Sequence, residues 1–256
     1  MNTHGAANNF FCQVLMLHLN NVCIKVIKKS QKSWFRQNAY LCPMEILDDA
    51  LQAYLDNHCD AEPEALQTIN RETHLKVLKP NMLSGHYQGR VLSMLSKMMQ
   101  PKRILEIGTY TGYATVCLAE GLTEDGFIDT IEVNREMEEM LQNHFELTNV
   151  EKKIKQHFGP AAQIIGDLCE NNFDIVFIDA DKKNNYLYFQ LVFDKVRSGG
   201  LIIIDNVLWK GKVYDSAQKD ADTENIRKLN EQIAVDTRVE KLILPVRDGL
   251  LLIRKR

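Results

Sequence analysis

Apolar and polar residues fall into blocks along the chain, and these blocks predict strands that alternate with helices. Short, almost wholly apolar runs are typical of buried parallel strands, and the segments between them show the spacing of helices with one buried face. The predicted strands are 104–107, 127–133, 154–158, 173–179, 201–204, 241–246 and 250–254, the last two joined by a turn at Asp248-Gly249. We therefore predict an α/β fold with a Rossmann-like, doubly wound, mostly parallel seven-stranded sheet whose last strand is antiparallel.

Helical spacing also precedes the first strand, from Glu45 onward, with breaks at Pro63, Pro80 and Pro101. These helices, the last of them over 91–99, are predicted to cover the sheet. The stretch 81–90 mixes two glycines with polar groups. It is either an ordinary helix N-terminus or a lid that contacts substrate, and both interpretations stay open.

Residues 1–43 differ in character from the rest of the chain. They hold three of the six cysteines, and the apolar stretch 10–27 is interrupted by polar and charged residues, which disfavours a membrane span or a secretory signal. We expect an appended extension that is mis-started or poorly ordered, with Met44 as the true start; an accessory helix with a partner role is the alternative. Residues 44–256 are predicted to form a single domain.

Composition narrows the class of protein. A chain of 256 residues suffices for one α/β domain with a sizeable core. The net charge of −3 gives no overall electrostatic attraction for nucleic acid. No Cys-x-x-Cys pair occurs, and Cys117 and Cys169 are predicted to be buried free thiols, as expected in the cytoplasm.

A glycine turn after the first strand carries the first candidate chemistry. The strand ends at Gly108, Gly112 follows four residues later, and helical spacing begins at Thr111. The acid Glu132, at the end of the next strand, is suited to bind two ribose hydroxyls. The dinucleotide fingerprint needs a middle glycine, and Tyr110 lies there instead. A nucleoside without a diphosphate, such as S-adenosylmethionine, therefore suits the turn better than a nicotinamide dinucleotide.

Acids at the ends of two later strands carry the second candidate chemistry. Asp179 follows the fourth strand, and Asp205-Asn206 follows the fifth. Carboxyl ends of parallel strands face the same edge of the sheet, so these oxygens predict a site for a hard divalent cation. Mg²⁺ is the first choice, with Mn²⁺ or Ca²⁺ as alternatives. Lys182, three residues after Asp179, is the candidate general base.

Together these segments resemble the cation-dependent, S-adenosylmethionine-dependent O-methyltransferases of the caffeoyl-CoA and catechol O-methyltransferase type. Asp181 stands where the catechol enzymes have a histidine, which brings the chain nearer to the caffeoyl-CoA and bacterial branch. The resemblance runs from about Met44 to Arg256. Its carriers are Met82-Leu-Ser-Gly-His-Tyr-Gln-Gly89, Leu105-Glu-Ile-Gly-Thr-Tyr-Thr-Gly-Tyr113, Ile131-Glu-Val133, Phe177-Ile-Asp-Ala-Asp-Lys182 and Asp205-Asn-Val-Leu-Trp-Lys-Gly211.

The resemblance implies a role for each matched position. Lys182 and Asp179 would be catalytic, and Asp179, Asp205 and Asn206 would hold the metal. Met82 and Trp209 would border the acceptor. The residues expected along S-adenosylmethionine are Met82, Glu106, Gly108, Thr109, Gly112, Tyr113, Glu132, Gly159, Pro160, Ala161, Asp179 and Asp181.

The implied activity is methylation of a hydroxyl on a small catechol-like aromatic acceptor by a cytoplasmic homodimer. Methylation of a hydroxylated uridine in tRNA is the alternative, for which Lys182, Lys183, Lys210 and Lys212 could form a local basic patch. A nicotinamide-dependent oxidoreductase is a more remote alternative.

Overall fold

A computed structural model describes residues 49–256 of the chain. The predicted extension 1–43 and the predicted start at Met44 lie outside these residues, and the domain boundary there stays a prediction. No helix within the described part is long and apolar enough to cross a membrane.

Helices and strands alternate through most of residues 49–256. The helices are α1 (Asp49–His58), α2 (Glu64–Lys76), α3 (Gly85–Met99), α4 (Tyr113–Ala119), α5 (Glu138–Leu147), α6 (Ala161–Asp167), α7 (Asn185–Phe193) and α8 (Ala221–Val235). The strands are β1 (Arg103–Ile107), β2 (Phe127–Glu132), β3 (Ile154–Phe158), β4 (Phe173–Ile178), β5 (Val196–Asp205), β6 (Val239–Leu244) and β7 (Leu250–Lys255). Short 3₁₀ turns occupy Pro80–Met82, Arg135–Met137, Glu151–Lys153 and Trp209–Tyr214.

The strands form one seven-stranded sheet in the order β3-β2-β1-β4-β5-β7-β6. Neighbours from β3 to β5 pair in parallel, whereas β7 lies antiparallel to both β5 and β6. The predicted sheet with its reversed last strand is confirmed.

Hydrophobic clusters cover both faces of this sheet. On one face Leu105 and Val176 pack with residues of α7 and α8 such as Phe189 and Leu229. On the other face Ile104, Ile175 and Phe177 pack with residues of α2 to α5, among them Leu66, Leu92, Cys117 and Phe145. Burying one such side chain contributes about 1.5–3 kcal/mol, so the central strands hold both helical layers in place.

Several local predictions were wrong in their details. Helix α4 begins at Tyr113 rather than Thr111, because Gly112 before it has a φ of +81°. Strand β5 begins at Val196 rather than Leu201, since Val196 already pairs with Phe173. Helix α3 begins six residues earlier than predicted, at Gly85 rather than 91. The hairpin strand β6 covers 239–244 rather than 241–246.

Two burial predictions also need correction. Cys169 is exposed, although Cys117 is buried as predicted. In the segment between α6 and β4 it is Leu168 that packs into the core, and the next residue, Cys169, faces solvent. Helix α2 covers the sheet through Leu66 and Ile69, whereas α1 leaves Leu51 and Tyr54 exposed. The apolar spacing of α1 therefore does not correspond to a buried face among the described residues.

Candidate active site

The carboxyl ends of β1, β2, β4 and β5 bring the predicted site residues to one edge of the sheet. β1 lies in the centre, between β2 and β4, and the chain builds the sheet outward from it in both directions. Such a switch point is where open α/β sheets bind ligands. The Asp179 N–H donates to the Ile107 carbonyl at 2.9 Å, so the turns after β1 and β4 are in direct contact.

The two predicted glycines allow close packing on both sides of the turn after β1. Gly108 has a φ of +100°, and a Cβ there would lie 2.3 Å from the Asp179 carbonyl oxygen. Gly112 has a φ of +81°, and a Cβ there would lie 2.7 Å from the Phe145 ring. Both positions need glycine for backbone conformation and for close packing within the protein.

Glu106 lies beneath the glycine turn and is fully buried. Its Oε2 accepts hydrogen bonds from the hydroxyls of Thr115 at 2.5 Å and Thr130 at 2.6 Å. Burial raises the pKa of Glu106 to about 8, and the nearby charges of Asp179 and Glu132 act in the same direction, against the two hydroxyls. Thr130 also bonds Thr109 across 2.6 Å. Glu106 therefore supports the turn from below, and its expected contact with the methionine part of S-adenosylmethionine stays a prediction.

Glu132 ties the glycine turn to the end of β2. Its Oε2 accepts from the Tyr110 N–H at 2.8 Å, and its Oε1 accepts from the Asn134 N–H at 2.9 Å. The Gly159 N–H donates to the Glu132 carbonyl at 2.9 Å, which brings the Gly159-Pro160-Ala161 turn to the same end of the sheet. The predicted ribose and adenine residues are thus neighbours.

The acids after β4 and β5 form the other half of the site. Burial and the neighbouring charge of Asp205 raise the pKa of Asp179, whereas Lys182 and Arg247 lower it. Lys182 Nζ lies 3.0 Å from Asp179 Oδ1. Asp205 is buried and accepts from Gln88 Nε2 at 2.8 Å and from the Asn206 N–H at 2.6 Å. Two carboxylates are therefore close enough to repel each other beside one lysine.

This arrangement fits a divalent cation. Like-charged carboxylates held near each other favour a bound cation, and carboxylate and amide oxygens are the ligands that Mg²⁺ and Ca²⁺ prefer. Within residues 49–256, no group of three His, Cys, Asp or Glu side chains forms a ready-made metal cluster. A cation site here would therefore consist of Asp179 and Asp205 with the amide of Asn206, whose backbone has a φ of +63°.

A small cleft opens between the glycine turn and the segment before α3. Its lining includes five predicted site residues and several that were not predicted: Met82, Leu83, Ser84, Gly108, Thr109, Tyr110, Thr111, Tyr113, Ala114 and Asp179. Met82 is 54% exposed at its mouth. Trp209 is outside this lining; it is partly buried on the 3₁₀ turn after β5. Within the described chain, the cleft thus joins the glycine turn and Asp179 but not Trp209.

The Asp181 carboxylate accepts hydrogen bonds from residues at the start of the next helix. Its Oδ2 accepts from the Tyr188 hydroxyl at 2.6 Å, and its Oδ1 accepts from the Asn184 N–H at 3.1 Å. Both oxygens thus hold the start of α7.

Sequence reasoning missed two residues that shape the site. Gln88 donates a hydrogen bond to Asp205 from a position 117 residues away. Asp248 lies close enough to Asp205 for that charge to raise its pKa, after the larger effect of burial. A glutamine in the stretch before the predicted helix 91–99 and an acid in a hairpin turn carry no local signal of such contacts.

The sheet order, the glycine turn at the switch point and the acid at the end of β2 define a class of protein, the Rossmann-like methyltransferases. The family model of the O-methyltransferases matches residues 56–256. The chain is 35% identical over 222 residues to caffeoyl-CoA O-methyltransferase 5 of Nicotiana tabacum, covering 81% of this chain and 91% of the relative. It is 33% identical to catechol O-methyltransferase domain-containing protein 1 of Mus musculus, covering 85% and 83%.

Solved structures agree with these relatives. An O-methyltransferase from Bacillus cereus in complex with SAH superposes with a TM-score of 0.75 at 30% identity, covering 81% of this chain and 97% of that one. TomG from Streptomyces achromogenes in complex with SAM gives 0.74 at 30% identity, covering 80% and 96%. The chain belongs to the O-methyltransferase family and is an S-adenosylmethionine-dependent O-methyltransferase.

Proposed function

We propose that this O-methyltransferase methylates one of two adjacent hydroxyls on a small aromatic acceptor, with help from a divalent cation. The observation that carries the proposal is the pair Asp179 and Asp205 beside the cleft, with Lys182 Nζ 3.0 Å from Asp179. Relatives named as caffeoyl-CoA and catechol O-methyltransferases support this acceptor class.

On the donor side, the backbone of the glycine turn would bind the methionine part of S-adenosylmethionine. Gly108, Thr109 and Tyr113 line the cleft there, and Gly112 lets the helix α4 begin directly behind the turn. Glu132 would bind the ribose hydroxyls, and Gly159 to Ala161 would border the adenine. With these assignments the sulfonium methyl would lie between the turn and Asp179.

On the acceptor side, Asp179, Asp205 and Asn206 would hold the cation. When bound, the cation would supply positive charge that favours ionisation of a nearby hydroxyl. Gln88 keeps one Asp205 oxygen hydrogen-bonded at 2.8 Å and so fixes the orientation of that carboxylate. Met82 and Trp209 would border the acceptor ring.

Lys182 would act as the general base. In its unprotonated form, the Nζ of Lys182 would accept the hydroxyl proton as the acceptor oxygen attacks the methyl carbon. The new O–C bond forms as the C–S bond breaks, and S-adenosylhomocysteine leaves. The protein contributes mainly orientation and electrostatics, because no covalent enzyme intermediate is needed.

A lysine pair in the chain tests this role. We expect Lys182→Met to lower kcat by about 10²- to 10⁴-fold, the usual contribution of a general base, while S-adenosylhomocysteine still binds. Lys183→Met, one residue away, is the matched control and should retain activity. Equal activity of the two variants would refute the base assignment.

The tRNA alternative has weaker support. Two of the four lysines that could attract RNA are already paired, Lys182 with Asp179 and Lys212 with Asp220. Methylation of bulk tRNA in preference to a small catechol would reverse this choice. A cytoplasmic homodimer stays part of the proposal, and sedimentation of the full chain would measure its oligomeric state.

A further inference from the structure

The turn between β6 and β7 holds an arginine in an unfavourable backbone conformation. Arg247 has a φ of +48°, a region in which any residue with a Cβ loses energy relative to glycine. The Gly249 N–H donates to the Val246 carbonyl at 2.8 Å, so Arg247 occupies the bend of a tight turn. An arginine at such a position points to a contact that glycine could not make.

The side chain of Arg247 reaches a distant segment of the chain. Its Nη1 donates to the Leu83 carbonyl at 2.7 Å and to the Ser84 carbonyl. These partners are more than 160 residues away in sequence, and both line the cleft between the glycine turn and α3. The positive charge of Arg247 also acts on Asp179, which lines the same cleft.

The same turn also holds the loop after β5. The Leu208 N–H donates to the Asp248 carbonyl at 2.9 Å, and the Val207 N–H donates to the Gly249 carbonyl at 3.2 Å. The Lys210 N–H donates to Asp248 Oδ1. This loop begins at Asp205-Asn206 and carries Trp209. The turn therefore contacts the segment before α3, at Leu83 and Ser84, through the Arg247 side chain. It contacts the loop after β5 through its own backbone and Asp248.

We propose that Arg247 is a positioning residue that holds Leu83 and Ser84 over the cleft and thereby sets the affinity for S-adenosylmethionine. It acts through these two backbone carbonyls and has no part in the chemical step. The proposal rests on the methyltransferase activity of the family but not on the proposed cation, base or acceptor.

Three variants separate positioning from a general contribution to folding. Arg247→Gly and Arg247→Ala both remove the two hydrogen bonds, but Gly relieves the left-handed backbone and Ala does not. Arg247→Lys keeps a cationic donor that can reach the carbonyls. The binding of S-adenosylhomocysteine to each full-length variant is measured by calorimetry without cation or acceptor, and stability is measured by denaturant unfolding.

We expect Gly and Ala to weaken S-adenosylhomocysteine binding equally, by about tenfold, the effect of losing a charge-assisted hydrogen bond. The Arg247→Lys variant should keep most of the wild-type affinity. The Arg247→Gly protein should be more stable than the Arg247→Ala protein, because glycine tolerates the left-handed backbone. In steady-state assays the loss should appear in the KM for S-adenosylmethionine more than in kcat. Wild-type affinity in both Gly and Ala, or an affinity that follows stability across the series, would overturn the proposal. The binding assay needs no acceptor and no cation. It therefore tests the role of Arg247 even if the proposed acceptor chemistry is wrong.

Discussion

Replacing Glu106 by glutamine should change how the stability of the protein depends on pH. Glu106 is fully buried under the glycine turn, and burial raises its pKa to about 8 from an ordinary value of 4.5. The folded state then binds the proton more tightly than the unfolded chain does. The stability associated with this group is fully present below about pH 4.5 and is lost as the pH rises toward 8.

The size of the effect follows from the two pKa values. The two values differ by about 3.5, and each unit of pKa corresponds to about 1.36 kcal/mol. Ionisation of buried Glu106 therefore lowers the free energy of unfolding by at most roughly 5 kcal/mol above pH 8. Between pH 5 and pH 8 the free energy of unfolding should fall by roughly 3 kcal/mol because of this group. Glutamine has nearly the same shape and no charge, and its carbonyl can accept the hydroxyls of Thr115 and Thr130. Glu106→Gln should therefore remove most of this slope.

Urea unfolding of the wild type and the variant across pH 5 to 8 measures the slope directly. Glutamine puts an amide nitrogen where Glu106 Oε1 has no partner among the described residues. The cost of this unpaired amide lowers the free energy of unfolding equally at every pH, so the slope of that free energy against pH does not change. Thr130→Val removes a hydroxyl that lowers the pKa of Glu106 and should steepen the slope, while exposed Glu139→Gln serves as the neutral control. Parallel curves for the wild type and Glu106→Gln would refute the reasoning.

Two further substitutions test the close packing at Gly108 and the orientation of the Asp205 carboxylate. Gly108→Ala should destabilise the fold by roughly 2 to 4 kcal/mol, because its Cβ would meet the Asp179 carbonyl at 2.3 Å in a left-handed backbone. Gly166→Ala, with nothing within 4 Å of its Cβ, is the matched control in the same unfolding assay and should be neutral or stabilising. Gln88→Leu removes the buried donor to Asp205 and should weaken Mg²⁺ activation about 10- to 100-fold in a metal titration; an unchanged half-saturation would contradict the orienting role of Gln88.

Features that depend on local periodicity were predictable from the sequence. Apolar runs predict the strands, and because parallel strands end at one edge, the sequence alone assigns Glu132, Asp179 and Asp205 to one region. The glycine spacing indicated the turn at the centre of the sheet, and Gly108 does approach Asp179 there.

Contacts between distant side chains were not predictable in this way. The bond from Gln88 to Asp205 depends on how α3 packs beside β5, and neither segment records that contact in its own pattern. Arg247 gave no signal because its partners are backbone carbonyls. The hydrogen bonds from Thr115 and Thr130 to Glu106 beneath the glycine turn likewise left no local signal, and the ligand contact that the resemblance implies for Glu106 stays a prediction.

The central claim is that Asp179 and its neighbours support cation-assisted methyl transfer to a small aromatic diol. The most direct measurement is transfer of a labelled methyl group from S-adenosylmethionine to a simple catechol, with Mg²⁺ and with EDTA, for the wild type and Asp179→Ala. The account predicts methylated product with Mg²⁺, loss of product in EDTA, and no Mg²⁺-dependent turnover in a folded Asp179→Ala protein. Full wild-type activity in EDTA would contradict it.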